Sequence, residues 1–265
     1  MFKQRLITGV ILVVLVLLAI YYANIWVLRG VVLVLVFASA WEWTQLIPIK
    51  WFMNKAIFTV VLLLTVGLSI YWFDAWLYSG LVLWMGILFA VLLFPASQRF
   101  WGYRTIVGGA CLLLLPLFAN SLAAIYEHIQ GKSLIVYLLC LVWATDIGAY
   151  LAGKLFGGHK LIPSVSPGKT VEGALGGFLM AIIVAVIGCF YFKPPSMVMW
   201  YLVAIGIILI SMLGDLFISI LKRRTKLKDT GRIFPGHGGV LDRLDSLIAA
   251  TPLFYYGLPL LAIAS

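Results

Sequence analysis

Three acids of this 265-residue chain, Glu42, Asp146 and Asp215, stand inside long apolar stretches, and two basic, glycine-bearing loops follow Asp146 and Asp215 in the chain. A charge placed in lipid costs at least a few kcal/mol, so each acid is a functional candidate by default. Asp146 sits in Ala-Thr-Asp-Ile-Gly-Ala-Tyr and Asp215 follows Gly214, contexts in which small residues let helices approach closely. Isolated carboxylates would protonate rather than stay charged in lipid, so their expected business is a metal ion or a phosphate-binding cation. For Glu42, in Trp41-Glu42-Trp43, a structural carboxylate paired to a neighbouring helix or reaching the interface is an equally good reading.

The loops span 154–172 and 222–245, and loops of this length in a compact protein are usually functional or disordered. Neither has a disordered composition, since both mix basic residues with Gly and Pro that set particular turns. The second loop interleaves Lys228-Asp229, His237-Gly238-Gly239, Asp242-Arg243 and Asp245. Its cations alone would be explained by membrane topology and attraction to anionic lipid, at about 1 kcal/mol per residue. The interleaving asks for more. Glycines let backbone N–H groups approach phosphate oxygens, basic side chains neutralise them, and carboxylates hold a hard cation such as Mg²⁺. This is a set suited to nucleotide phosphate chemistry. His237 reads better as a donor to phosphate, or as a turn residue, than as a general base, because phosphate oxygens need no strong base at neutral pH. Gly168-Lys169-Thr170 imitates the end of a P-loop, but the earlier glycine is replaced by Pro163 and no strand is expected ahead of it. Pro163, Ser166 and Pro167 predict a rigid hairpin leading into Lys169 and Glu172. His159 beside Lys160 is left without a role.

The elements that must position these residues are membrane helices. Hydrophobic residues make up 64% of the chain and charged residues 11%, with a mean hydropathy of +1.11, against about 25% charged in a soluble domain. An all-α, polytopic transmembrane fold of about nine spans is expected, as a single domain over 1–265, because an open strand in lipid would leave its backbone unpaired. Stretches near 6–23, 28–47, 56–73, 76–95, 105–126, 134–153, 173–192, 199–221 and 246–263 approach the about 20 apolar residues a span requires. The gap around Asp74, between the third and fourth, is the weakest boundary. The apolar run after Met1–Arg5 is too long for a signal peptide and lacks its cleavage site, so it is expected as the first span. Threading nine spans puts 16 of the 19 Lys and Arg residues on one side, leaving Arg29, Lys132 and Lys193 opposite. The positive-inside rule then makes the N-terminus cytosolic and sets the acids and both loops at the cytosolic face. Many of the ten Trp residues fall near span ends, as an aromatic belt requires, and Cys111, Cys140 and Cys189 read as small core residues.

Taken together these segments resemble the phosphatidate cytidylyltransferase family, the CDP-diacylglycerol synthases. Ser219, Lys222-Arg223, Lys228-Asp229, Gly231, Phe234-Pro235, His237-Gly238-Gly239, Asp242-Arg243 and Asp245 fall at the family's spacing, more than a dozen fixed positions in 27 residues. The likeness extends to Asp146-Ile147-Gly148-Ala149-Tyr150, to the stretch Ser166 to Gly173, and to Gly214-Asp215. It covers the half from 131 to 265 well, while 1–130 matches only as generic spans. The resemblance implies transfer of a cytidylyl group from CTP to phosphatidate in phospholipid biosynthesis, with Mg²⁺, and a second, monovalent cation as an option. Asp215 and Asp242 would be metal ligands, with Asp146 and Asp245 supporting. Lys169, Lys222, Arg223, Lys228 and Arg243 would hold phosphates, and Asp229 and His237 complete the catalytic set. Ser166, Glu172, Ser219, Gly238 and Gly239 would contact substrate. Implied partners are CTP, phosphatidate, membrane lipid and a second copy of the chain as a homodimer, with no nucleic acid, in the cell's inner or cytoplasmic membrane. Another membrane phosphotransferase would use similar groups, but the Asp-rich helix pattern of enzymes that join CDP-alcohols is absent. An anion or phosphometabolite transporter would call for internal repeats and acids at the bilayer midplane, neither of which is seen.

Overall fold

The computed structural model describes residues 2–47, 49–231, 233 and 238–262. Nine α-helices run through them: α1 (Phe2–Tyr22), α2 (Ile25–Leu46), α3 (Phe52–Leu68), α4 (Phe73–Leu92), α5 (Arg104–Glu127), α6 (Gly131–Phe156), α7 (Val171–Phe192), α8 (Met197–Arg224) and α9 (Leu241–Leu261). A 3₁₀ turn, Ala96–Gly102, precedes α5. Each helix overlies one expected span, and seven are long and apolar enough to cross a membrane. The described apolar part of α1, Gly9–Tyr22, and α3, Phe52–Leu68, are shorter than that. Asp74 falls in the first turn of α4, so the uncertain boundary lies at 69–72.

The fold departs from all-α at one place. Strands β1 (Lys160–Ile162) and β2 (Ser166–Thr170) form an antiparallel hairpin in the loop between α6 and α7. A strand was not expected before Gly168-Lys169-Thr170, but outside the hydrocarbon a short ladder can pair its own backbone. Thr170 ends the hairpin and caps α7, its hydroxyl accepting from Gly173 N at 3.0 Å. The resemblance to a P-loop is thus a strand running into an N-cap.

Burial separates inner from outer helices. Between 56% and 67% of the apolar stretches of α5, α6, α8 and α9 is buried, against 28% to 33% for α2, α4 and α7. The outer helices expose Val34, Val82, Leu179 and Ile183, side chains that only lipid can accommodate. Two helix pairs approach so closely that only glycine fits: a Cβ on Gly148 of α6 would lie 2.6 Å from the Gly176 carbonyl oxygen of α7, and one on Gly214 of α8 would lie 2.5 Å from that of Asp245 in α9. The first contact packs α6 on α7 at Gly148, two positions from Asp146, and the second sets Asp215 beside Asp245. Tryptophan is only partly a belt residue here. Trp43, Trp84 and Trp101 are buried around Phe217, with ring centroids 6.3, 5.8 and 5.3 Å from it, and Trp200 stacks on Tyr137 at 4.7 Å. Aromatic area binds α2, α4 and α8 where few polar contacts exist. Cys111 and Cys189 are buried and Cys140 is partly buried, all as free thiols.

Candidate active site

A cavity of about 520 Å³ opens where α6, α8 and α9 meet the β-hairpin. Its lining includes Asp146 of α6, Lys169 of β2, Asp215 and Lys222 of α8, Asp229 of the second loop, and Asp242, Arg243 and Asp245 of α9. Every described lining residue lies at position 145 or beyond. The close contact at Gly214 explains part of the convergence, since α9 can bring Asp245 alongside Asp215 of α8 only if nothing larger than hydrogen stands there, while the Gly148 contact packs α6 on α7, whose Gly173 and Ala174 line the same cavity.

Two ion pairs compensate charge within this cavity. Lys169 forms an ion pair with Asp215 Oδ2, and Ser219 Oγ reaches Asp215 Oδ1 at 3.4 Å. Lys222 Nζ lies 2.8 Å from Asp242 Oδ1, in a pair whose side chains are only 15% and 5% exposed. Asp242 Oδ2 accepts from Thr230 N at 2.8 Å and from Gly239 N at 3.0 Å. Both oxygens of Asp242, expected as a metal ligand, are therefore engaged, one by Lys222 and one by backbone amides of the second loop. Gly238 has φ of +84°, a left-handed conformation, and a Cβ there would come 2.7 Å from Asp242 Oδ2.

Other expected residues sit around the cavity rather than in its wall. Arg223 donates through Nε to Val165 O at 3.1 Å, tying the hairpin tip to the end of α8. Glu172 accepts from Gly158 N at 3.1 Å and from His159 N, and meets His159 Nδ1 at 2.7 Å, so it fastens the start of the hairpin to α7. This gives a partner to the histidine left without a role. Ser166 pairs with Ile162 in the hairpin, Lys228 is exposed outside the cavity lining, and Gly238 and Gly239 act through the Asp242 clamp. His237, with Phe234 and Pro235, lies outside the described residues.

Residues 3–261 match the profile of the Cytidylyltransferase family. The chain belongs to the cytidylyltransferase family. It is 34% identical to a phosphatidate cytidylyltransferase of Haemophilus influenzae, over 97% of this chain and 98% of that protein. A phosphatidate cytidylyltransferase of Pseudomonas aeruginosa is 35% identical over 96% of both chains. One from Staphylococcus aureus strain COL is 43% identical over 54% of this chain and 56% of its own length.

In this cytidylyltransferase the cavity wall also contains Thr145, Tyr150, Lys154 and Ser246, to which sequence reasoning had given no role. A usable signal existed for two of them: Asp146, Tyr150 and Lys154 are spaced by four and so share one face of α6. Leu161, Met212 and Leu216 give the same cavity an apolar side.

The donor chemistry suits a hard divalent cation. Asp146, Asp215 and Asp245 all offer carboxylate oxygens to one cavity, while among the described residues no group of three or more His, Cys, Asp or Glu forms a ready-made cage. Mg²⁺ commonly binds in that way, through one or two carboxylates completed by substrate phosphates and water.

Proposed function

We propose that this cytidylyltransferase condenses CTP with phosphatidate, yielding CDP-diacylglycerol and pyrophosphate. The observation that carries the reading is one cavity in which Lys169, Lys222 and Arg243 alternate with Asp146, Asp215 and Asp245, next to the apolar Leu161, Met212 and Leu216. A water-soluble nucleotide and an amphiphilic phosphate can meet there. The names of the two nearly full-length relatives support the same substrates.

In this reaction a phosphate oxygen of phosphatidate forms a bond to the α-phosphorus of CTP. The bond from that phosphorus to the bridging oxygen breaks, and its electron pair leaves with pyrophosphate. The attacking oxygen is already anionic, so no general base is needed. What the chain must supply is position and compensation of charge. Lys169 and Arg243, from opposite walls, would hold phosphate oxygens in line, and Lys222 would act while anchored on Asp242. Asp215, with Asp146 or Asp245, would hold Mg²⁺, which when bound acts as a Lewis acid on the phosphoryl oxygens. Asp242 would serve by fixing the loop.

The 16 basic residues assigned to one side support a cytosolic N-terminus and a cavity on the cytosolic face of the cell membrane. Arg29, one of the three assigned opposite, pairs with Glu127 at 2.8 Å, and Lys132 Nζ donates to Tyr21 O, at helix ends remote from the cavity. A homodimer belongs to the same proposal, on the strength of the resemblance. Incubation of purified protein with labelled CTP, phosphatidate and Mg²⁺, followed by solvent extraction, tests the reading. A lipid-soluble cytidine product is expected, and release of pyrophosphate without that product would refute it.

A further inference from the structure

We infer that Glu42 is a positioning residue for this reaction: from α2, in the half of the chain from which no described residue lines the cavity, it holds the loop between α8 and α9 and so places Asp242 against Lys222. The role in turnover rests on the proposed function; the clamp itself does not. Glu42 is 3% exposed, yet three donors converge on its carboxylate. Val240 N reaches Oε1 at 3.0 Å, while Leu241 N and the Thr230 hydroxyl reach Oε2 at 2.9 Å each. One turn along α2, Gln45 Nε2 donates to Thr230 O at 3.0 Å. Thr230 is fully buried and is thus held at its hydroxyl and carbonyl by α2, and at its amide by Asp242.

Two features show that the loop is built around this carboxylate. A Cβ on Gly231 or on Gly239 would run into the Glu42 carboxylate, so the backbone can lie on the acid only because both positions are glycine. The first amides of α9 supply two of the donors, and the N-terminal end of a helix favours a negative charge. Glu42 and Asp242 hold the same segment from opposite sides, through Thr230 and through the adjoining residues Gly239 and Val240. Loosening Glu42 therefore shifts Asp242 relative to its partner Lys222 on α8. A general anchor of the fold would instead lower overall stability and leave the folded fraction fully active.

Glu42→Gln separates these roles, because the amide keeps the shape but offers one acceptor oxygen where two are used, and sets its NH₂ against a backbone N–H. The experiment compares purified parent and variant by hydrogen exchange of the segment 228–245 and by formation of lipid-soluble cytidine product per folded molecule. Exchange should accelerate in that segment while the α6 and α7 peptides keep the parent rate, and kcat should fall on the order of tenfold to a hundredfold, the scale of a displacement of about 1 Å. Turnover within about twofold of the parent, or a fall in turnover with loop exchange unchanged, would overturn the inference. Should Glu42→Gln not yield folded protein, Thr230→Val removes a single donor. It should give faster loop exchange and lower kcat, and no change in both would count against the inference. A parent that makes no lipid product would refute the proposed function, while exchange would still report on the clamp.

Discussion

Lys169 and Asp215 form an ion pair across the cavity, the lysine from the last residues of β2 and the carboxylate from α8. Each is the counter-charge of the other. Phosphate oxygens arriving at Lys169 and a hard cation arriving at Asp215 would replace one pairing by two. The hairpin is therefore more than a connection between α6 and α7; it delivers a cation to an acid that lies within a span.

Asp215→Asn should leave the protein inserted and folded but lower kcat on the order of a hundredfold or more, the scale of losing one strong electrostatic stabiliser. Asn keeps an oxygen and the size but loses the charge that a hard ion demands. Titration of activity with Mg²⁺ in the variant checks this. Near-normal Mg²⁺-dependent turnover would remove Asp215 from the cation site.

Lys222 and Asp242 form a mostly buried pair, so removal of either partner leaves an uncompensated group. Asp242→Asn and Lys222→Met should each lower the Tm in detergent, with losses on the order of 3 to 5 kcal/mol for a buried pair. The double variant should lose less than the sum of the two, because the residues share one interaction. Thermal unfolding of the four proteins measures this, and strict additivity would contradict the pairing.

Arg243 lines the cavity, whereas Lys226 is exposed on the turn that follows α8. Arg243→Gln should raise the KM for CTP about tenfold or more, the worth of a charge-assisted hydrogen bond. Lys226→Gln should change it by less than about twofold, as expected of a surface charge. Steady-state kinetics at fixed ionic strength separates the two, and equal effects would reduce the loop to a bulk basic patch.

The distribution of basic residues predicts an even simpler readout. A reporter fused after Ser265 should be active only if it is one that works after export, and one placed in the loop 222–245 only if it works in the cytosol. Cytosolic activity at the C-terminal fusion would contradict nine spans with a cytosolic N-terminus.

Much of the site was legible because lipid makes charge conspicuous. Asp146 and Asp215 stood out as acids inside apolar stretches, and the spacing from Ser219 to Asp245 carried the family. The functions of Glu42 and Glu172 were not legible in the same way. The partners of Glu42 begin 188 positions away, at Thr230, and no local pattern links α2 to that loop. Glu172 had its partner close by, in His159, and although Pro163, Ser166 and Pro167 predicted the hairpin, nothing in the sequence paired the two side chains. For Asp242 the hydrogen bonds to Thr230 N and Gly239 N were not legible, because a carboxylate that clamps backbone N–H groups has the same sequence as one that binds a metal. Buried tryptophan was missed for a related reason: in a membrane protein the same residue suits both the interface and the core.

The most direct test of the account follows the two ends of CTP separately. Purified protein, phosphatidate and Mg²⁺ are incubated with CTP labelled at the α-phosphate, and in parallel with CTP labelled at the γ-phosphate. The account predicts that the α label enters the lipid phase in proportion to phosphatidate consumed, while the γ label stays in water as pyrophosphate. Transfer of the γ label to lipid, or release of the γ label with no α label in lipid, would contradict it.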